Sequence, residues 1–159
     1  MLSRKKILIY ALLIAVLPLG LVALSILSSG KPPAGLASDG RLSPCPDSPN
    51  CVCSETDGPL SSIAALAFSG SPETARASLL LAIENTGGTV QREDADYLWA
   101  TYQSSLFRFT DDLECRVDAS NSVIHIRSAS RSGHSDMGAN RRRAEQLRAQ
   151  FIDHQATQP

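Results

Sequence analysis

The stretch TVQREDADYLWATYQSSLFRFTDDLECRVDASNSVIHIRSAS, residues 89–130, decides the fold of this chain. Apolar and polar side chains alternate along it with a period of two, which is typical of strands that bury one face. Leu113, Cys115 and Val117, for example, alternate with charged neighbours, and Asn121 begins a turn before the next apolar run. Consecutive strands with short connections predict an antiparallel meander.

A helix is predicted on each side of this meander. Over residues 72–86, Ser71 is a suitable N-cap and Pro72 suits the first helical position. A helical apolar period also covers residues 140–154, and the short apolar run at 63–68 could form a strand. The expected fold class is α+β: an antiparallel β-meander sheet with two helices packed on it, in the order (β)-α-β-β-β-β-α.

One transmembrane helix is expected to precede this domain. Of the 21 residues 7–27, 18 are apolar and none is charged, which is long enough to cross a bilayer. The basic stub 1–6 indicates a cytoplasmic N-terminus, so that the rest of the chain is exported. We expect a single-pass signal anchor in the bacterial inner membrane with a periplasmic C-terminal domain. Secretion to the periplasm after signal cleavage at 28–30 is the alternative.

Composition sets the other boundaries. Residues 28–44 are rich in Gly, Ser and Pro and predict a flexible linker; residues 45–154 form the periplasmic domain, and 155–159 a disordered tail. Beyond residue 30 the chain has 12 Lys/Arg and 16 Asp/Glu, a net charge of −4. This excludes a strongly basic nucleic-acid-binding protein. The expected partners are therefore the membrane and no nucleic acid.

The exported part contains four cysteines, Cys45, Cys51, Cys53 and Cys115. An even number in an oxidising compartment favours two disulfides, and all three pairings are open. Free thiols, a redox pair and a thiolate metal site are the alternatives. The spacing matches no standard zinc motif, and we predict neither a metal nor another cofactor.

The densest polar stretch is HIRSASRSGHSDMGANRRR, residues 125–143. Arg127 and Arg131 share one face of the predicted last strand, where they could bind an anion or pair with acidic side chains. A cross-strand ladder of ion pairs on a solvated face explains them equally well. The acidic side chains available nearby are Asp111, Asp112 and Glu114.

The last helix adds further candidates from the same stretch. Asp136 and Asn140 could cap it. Three arginines in its first turn, beginning with Arg141, oppose the helix dipole, so acidic side chains or an anionic ligand should lie nearby. An envelope hydrolase that uses His125 or His134 with Asp136 is the catalytic alternative. No nucleophile-elbow sequence supports it, and we assign no catalytic residue.

Three segments together resemble the DUF1499 family, a domain of unknown function: CPDSPNCV at 45–52, LFRFTDDLECRVD at 106–118 and IHIRSASRSGHSDMGANRRRAEQLRAQF at 124–151. The resemblance implies an exported or membrane-anchored bacterial protein and supplies no activity. Members of that family commonly have Ser where Cys53 stands and an aromatic residue where Cys115 stands. This departure suggests a second disulfide between Cys53 and Cys115, alongside Cys45–Cys51.

We interpret the chain as a membrane-anchored exported domain with a binding or scaffolding role in the cell envelope, and not as an enzyme. Its expected site is an arginine-rich corner, where the last strand meets the last helix, that recognises an anionic ligand or the carboxylates of an envelope protein. The candidate binding residues are Arg127, Ser128, Arg131, Asp136, Asn140 and Arg141.

Overall fold

The computed structural model describes residues 4–6, 10, 12, 14–16, 20, 23, 30–33, 35–104 and 108–157. From residue 51 onward the elements are β1 (Cys51–Cys53), β2 (Leu66–Ala67), α1 (Pro72–Asn85), β3 (Thr89–Glu93), β4 (Tyr97–Gln103), β5 (Thr110–Asp118), β6 (Val123–Ser130) and α2 (Ala139–Thr157). The α+β class is confirmed, and so is the run of strands between the two helices.

The strands form one antiparallel sheet in the order β1-β6-β5-β4-β3. β1 pairs with residues 127–129 of β6, and β2 pairs with residues 123–124, so the two short strands share one edge of β6. The sequence predicts no strand at β1, because three residues are too few to show a period.

Both helices pack on one face of the sheet, which we call the inner face. Ser71 caps α1 by accepting the Thr74 N–H at 3.2 Å, as the sequence predicts. Gly87 (φ +83°) ends this helix, and a Cβ on Gly88 would lie 2.7 Å from the Tyr102 side chain. The core is apolar and joins both helices to β1, β2, β4, β5 and β6; its fully buried members include Leu79, Ile83, Leu113, Ile124, Ile126, Leu147 and Phe151.

The opposite, outer face is partly covered by the segment that precedes β1. Leu36 and Leu42 form an antiparallel bridge, and Leu42 is only 3% exposed because it packs against Cys53 and Tyr97. Residues 35–42 were expected to belong to the flexible linker 28–44. Their contacts with the sheet make them part of the folded domain, because burial of Leu42 and the hydrogen bonds that Arg41 and the Leu42 N–H donate to Glu55 hold the segment in place.

Most of the predicted span 7–27 lies outside the described residues, and the described positions between residues 4 and 23 are helical. Within the part of the chain that the structure describes, no helix combines the length and the apolar composition needed to cross a membrane. At the other end, α2 continues through Thr157. Residues 155–157, expected in a disordered tail, are therefore helical.

Candidate functional site

The sheet divides the six predicted binding residues into separate groups. Arg127 and Arg131 lie on the outer face, because β6 alternates the two sides of the sheet. Ser128, Asp136 and Asn140 contact one another or common partners on the inner side. A single site that contains all six does not form. The candidate residues instead form three groups. Arg127 and Arg131 make ion pairs on the outer face, Ser128, Asp136 and Asn140 form a polar network, and Arg141 bonds to backbone oxygens.

Arg127 is held by a buried carboxylate on the next strand. Its Nη1 lies 2.7 Å from Glu114, which is 1% exposed and also accepts the Tyr97 hydroxyl at 2.8 Å. Burial raises the pKa of Glu114, and the positive charge of Arg127 opposes that increase. Burial and the Glu114 charge also raise the pKa of Tyr97. The guanidinium of Arg127 therefore stabilises an internal charge.

Arg131 forms a second ion pair on the outer face, in addition to the pair between Arg127 and Glu114. Its Nε and Nη2 each donate to Asp112 at 2.8 Å, in a bidentate arrangement. Asp112 also accepts the indole N–H of Trp99 at 2.7 Å, and the Arg131 guanidinium lies 5.8 Å from the centre of that ring. The hydrogen bond to Asp112 raises the pKa of Arg131. Ion pairs of the kind expected for Arg127 and Arg131 are thus present in the fold, but they are largely buried and do not lie on a solvated face.

A third acidic centre on the outer face was absent from the sequence analysis. Glu55, just after β1, accepts Arg116 at 2.7 Å, Arg41 at 3.2 Å and the backbone N–H of Leu42 at 2.7 Å. Burial alone would raise the pKa of Glu55, but these donors outweigh it and hold the pKa below its usual value. The cluster joins the segment 35–42 to the sheet.

On the inner side, Asn140 is the centre of a buried polar network. The two N–H bonds of its Nδ2 are shared among three acceptors: the backbone oxygen of Asn50 at 2.9 Å, Ser130 Oγ at 2.9 Å and Asp136 at 2.8 Å. Its Oδ1 accepts the Ser128 hydroxyl at 2.6 Å. One amide thus connects α2 to β6, to the loop before the helix and to the chain before β1. This is a structural role.

Asp136 caps the helix, as one sequence interpretation proposed. It accepts the backbone N–H groups of Gly138 at 2.9 Å and of Asn140 at 2.7 Å. Burial opposes the charge of Asp136, but these N–H donors prevail and lower its pKa. Arg143 also faces inward: it donates to Asp111 at 2.6 Å and lies 4.6 Å from the centre of the Tyr102 ring. Two acidic side chains thus offset the unfavourable charge of the first turn.

Arg141 and Arg142 differ from the other arginines in their partners. Arg141 Nη2 donates to the backbone oxygens of Leu60 at 2.8 Å and of Ser62 at 3.1 Å. Arg142 Nη1 donates to the backbone oxygen of Met137 at 2.8 Å. Neither forms an ion pair with the side chains that the structure describes. These two charges therefore remain available to an external anion.

The histidines are separated from Asp136. His125 lies on the outer face with its Nδ1 3.3 Å from Ser54 Oγ, while its Nε2 is 4.0 Å from Glu55 and 3.9 Å from Asp118. Burial lowers the pKa of His125, which favours the neutral ring. Among the described residues, no hydrogen bond or ion pair connects either His125 or His134 to Asp136. The pairing named for the hydrolase alternative is therefore not assembled here.

The cysteines form one disulfide, between Cys45 and Cys51. The suggested second disulfide is wrong, since Cys53 and Cys115 are both free and buried. Register explains why: Cys53 is opposite Arg127, which is opposite Glu114, so Cys53 shares a face with Glu114 while Cys115 points to the other face. In the described part of the chain, no three His, Cys, Asp or Glu side chains cluster closely enough to bind a metal ion.

Sequence reasoning missed Glu55 as an ion-pair partner. A single acidic residue in a loop has no periodic signal, and only pairing of β1 with β6 brings it beside Arg116. It also left Arg142 and Arg143 without individual roles. The helical spacing of 100° per residue already implied that Arg141, Arg142 and Arg143 have different partners, but the partners themselves depend on the tertiary fold.

One family model matches the part of the chain that contains these polar residues. A family model described as a protein of unknown function, DUF1499, matches residues 41–151, and so includes Glu55, the strand arginines and the first turn of α2. No curated protein matches the chain, and no solved structure does. The match covers more than half of the sequence, and the chain therefore belongs to the DUF1499 family.

Proposed function

We propose that this protein is a membrane-anchored domain exported to the bacterial periplasm, where it has a non-catalytic binding or scaffolding role. The apolar segment 7–27 and the basic stub before it support anchoring and export. The recognition surface is the part of the arginine-rich corner formed by the first turn of α2, around Arg141 and Arg142. Arg127 and Arg131 act in folding, because each is paired with a buried carboxylate.

One observation carries this proposal. Arg141 has backbone carbonyl partners and no carboxylate among the described residues, although it stands in the positive first turn of α2. A carbonyl neutralises none of its charge, so Arg141 and Arg142 together favour an anionic group from outside the domain. Carboxylates and phosphates are the anions that a guanidinium binds best.

Anchoring and export are tested in the full chain. An alkaline phosphatase reporter joined after residue 159 should be active, since that enzyme folds only when exported. The protein should remain in the membrane after alkaline extraction, and its intact mass should include residues 1–29. Release into the soluble fraction with a mass that begins near residue 30 would support the secreted alternative and contradict the anchor.

Binding is tested with the full chain in nanodiscs of a zwitterionic lipid. Titration with a short oligoglutamate peptide should give saturable binding that Arg141→Gln weakens about fivefold or more. Arg76→Gln is the matched control, because Arg76 pairs with Glu93 at the opposite edge of the sheet. Equal affinities in the two variants would contradict a binding role for this corner.

The contact between Ser54 and His125 favours a second candidate, an envelope hydrolase. A neutral His125 could accept the proton of the Ser54 hydroxyl, and Glu55 or Asp118 could stabilise the charged ring. Incubation with a fluorophosphonate probe should then label Ser54 in the wild type and not in Ser54→Ala or His125→Gln. An unlabelled wild type excludes this reactive serine.

A further inference from the structure

Two residues with exposed apolar side chains contact the two available arginines. Leu60 is 77% exposed and Met137 is 88% exposed, which is more than any other large hydrophobic side chain described in the domain. Arg141 donates to the backbone oxygen of Leu60, and Arg142 donates to that of Met137. We call these four residues the basic–apolar corner. Each exposed apolar side chain is thus joined through its own backbone to a charged guanidinium.

The corner lies at the end of the domain where the predicted span arrives. Gly30 touches Arg131, since a Cβ on Gly30 would lie 2.9 Å from the Arg131 Cβ. Asn140 of α2 bonds to Ser130, the neighbour of Arg131, so the first turn of α2 belongs to the same end of β6. Only residues 28 and 29 lie between residue 27 and Gly30, so the two positions are three peptide links apart. A fully extended chain of that length spans about 10 Å, so this end of β6 stays close to the bilayer.

Charge determines which surface of the domain can rest there. The part of the chain beyond residue 30 has a net charge of −4, so the domain as a whole is repelled by anionic lipid headgroups. Arg141 and Arg142 are cations without a described carboxylate partner, and they stand at the positive end of a helix. Exposed apolar side chains beside basic ones are the combination found on proteins that bind at membrane interfaces.

We propose that the basic–apolar corner docks on the surface of the membrane that anchors the chain, with Leu60 and Met137 inserted at the headgroup level and Arg141 and Arg142 bound to lipid phosphates. This inference rests on the proposed anchoring and names phospholipid as the partner of the same surface. Docking would fix the orientation of the domain and leave the edge strand β3, at the far side of the sheet, directed away from the bilayer.

The test uses the full chain in nanodiscs of phosphatidylcholine with about a quarter phosphatidylglycerol. A single cysteine replaces Met137 and carries an environment-sensitive fluorophore; Cys53 and Cys115 stay unlabelled because they are buried. Lipids with a nitroxide at the headgroup serve as quencher. The matched control is Leu81→Cys on α1, which is 44% exposed and lies beside β3. We expect strong quenching at position 137 and little at position 81.

Charge variants complete the test. Arg141→Gln and Arg142→Gln should each lower the ratio of docked to undocked domain about fivefold. Nanodiscs of pure phosphatidylcholine should lower this ratio for the wild type by at least as much. Arg142→Gln keeps the test valid if Arg141→Gln disturbs the loop at Leu60, because Arg142 is exposed and its side chain donates only to the Met137 carbonyl among described groups.

Three results would overturn docking. The first is no quenching at position 137 in the anionic discs, and the second is equal quenching in pure phosphatidylcholine. The third is protection of position 137 only when a second copy of the chain is present, which would assign the corner to self-association. Each of these results leaves the reporter and extraction assays unchanged, so failure of docking is distinguishable from failure of anchoring.

Discussion

Replacement of Asn140 by alanine is the perturbation that best tests the structural role of the buried polar network. The side chain is fully buried and makes hydrogen bonds to three other segments of the domain: β6, the loop before α2 and the chain before β1. Alanine keeps the helix and removes only the amide. The variant therefore separates a folding role of this residue from the ligand-binding role that the sequence suggested.

The loss of stability expected for Asn140→Ala depends on which hydrogen-bond partners of Asn140 have no other partner in the variant. The Asn50 carbonyl still accepts the Ser130 N–H at 3.0 Å, and Arg143 still pairs with Asp111. The Ser128 hydroxyl is buried, and Asn140 is its only acceptor among the described residues. An unsatisfied buried donor such as this hydroxyl costs about 1–3 kcal/mol, and partners that keep a second contact add little to that loss. We expect Asn140→Ala to reduce the free energy of unfolding by about 1–3 kcal/mol.

The assay is urea unfolding of the full chain in a mild detergent, followed through its one tryptophan, Trp99. Asn85→Ala is the control, because Asn85 is an exposed asparagine whose loss should cost less than about 0.5 kcal/mol. Adding Ser128→Ala to Asn140→Ala should cost less than Ser128→Ala alone, since it removes the unsatisfied hydroxyl. Equal stability of Asn140→Ala and Asn85→Ala would refute the reasoning.

Three further predictions follow from the outer face and the free thiols. Native protein should show no reaction of Cys53 and Cys115 with a thiol reagent, and two thiols should react after unfolding; fast labelling in the native state would contradict their burial. Arg131→Ala should cost about 3 kcal/mol in urea unfolding, because it leaves the buried Asp112 charge without its partner, whereas a change below about 0.5 kcal/mol would mean that the pair is only a surface contact. Burial holds the pKa of His125 below 6.5, so the unfolded chain takes up this proton first and stability should fall as the pH drops below about 6.5. His125→Gln should reduce that slope in thermal melts between about pH 8 and pH 5, and an unchanged slope would contradict the assignment.

Arg127 and Arg131 show how much of the candidate site could be predicted from the sequence. Their shared face was predictable, since side chains two residues apart on a strand point the same way. The sequence also predicted that their acidic partners are among Asp111, Asp112 and Glu114. Which arginine meets which carboxylate depends on strand register, and a shift of one residue would exchange the faces. The register pairs Glu114 with Arg127 and brings Asp112 near Arg131.

Cys53 and Cys115 show where the sequence was misleading. An even number of cysteines made a second disulfide a reasonable expectation. Pairing requires Cβ atoms within about 4.5 Å of each other, and the pleat of the sheet directs these two side chains to opposite faces. No pattern in the local sequence reports this, because β1 is identified only by its hydrogen bonds to β6.

The sequence by itself determined the α+β class, the order of the meander and its two helices, the cap at Ser71 and the family of the chain. These depend on local periodicity, on capping chemistry and on motifs, which are properties of neighbouring residues. The tertiary structure decided the pairing of β1 with β6, the packing of residues 35–42 on the outer face and the separation of the arginines into paired and available groups. Those features depend on contacts between residues far apart in the chain, so they exist only once the sheet has formed.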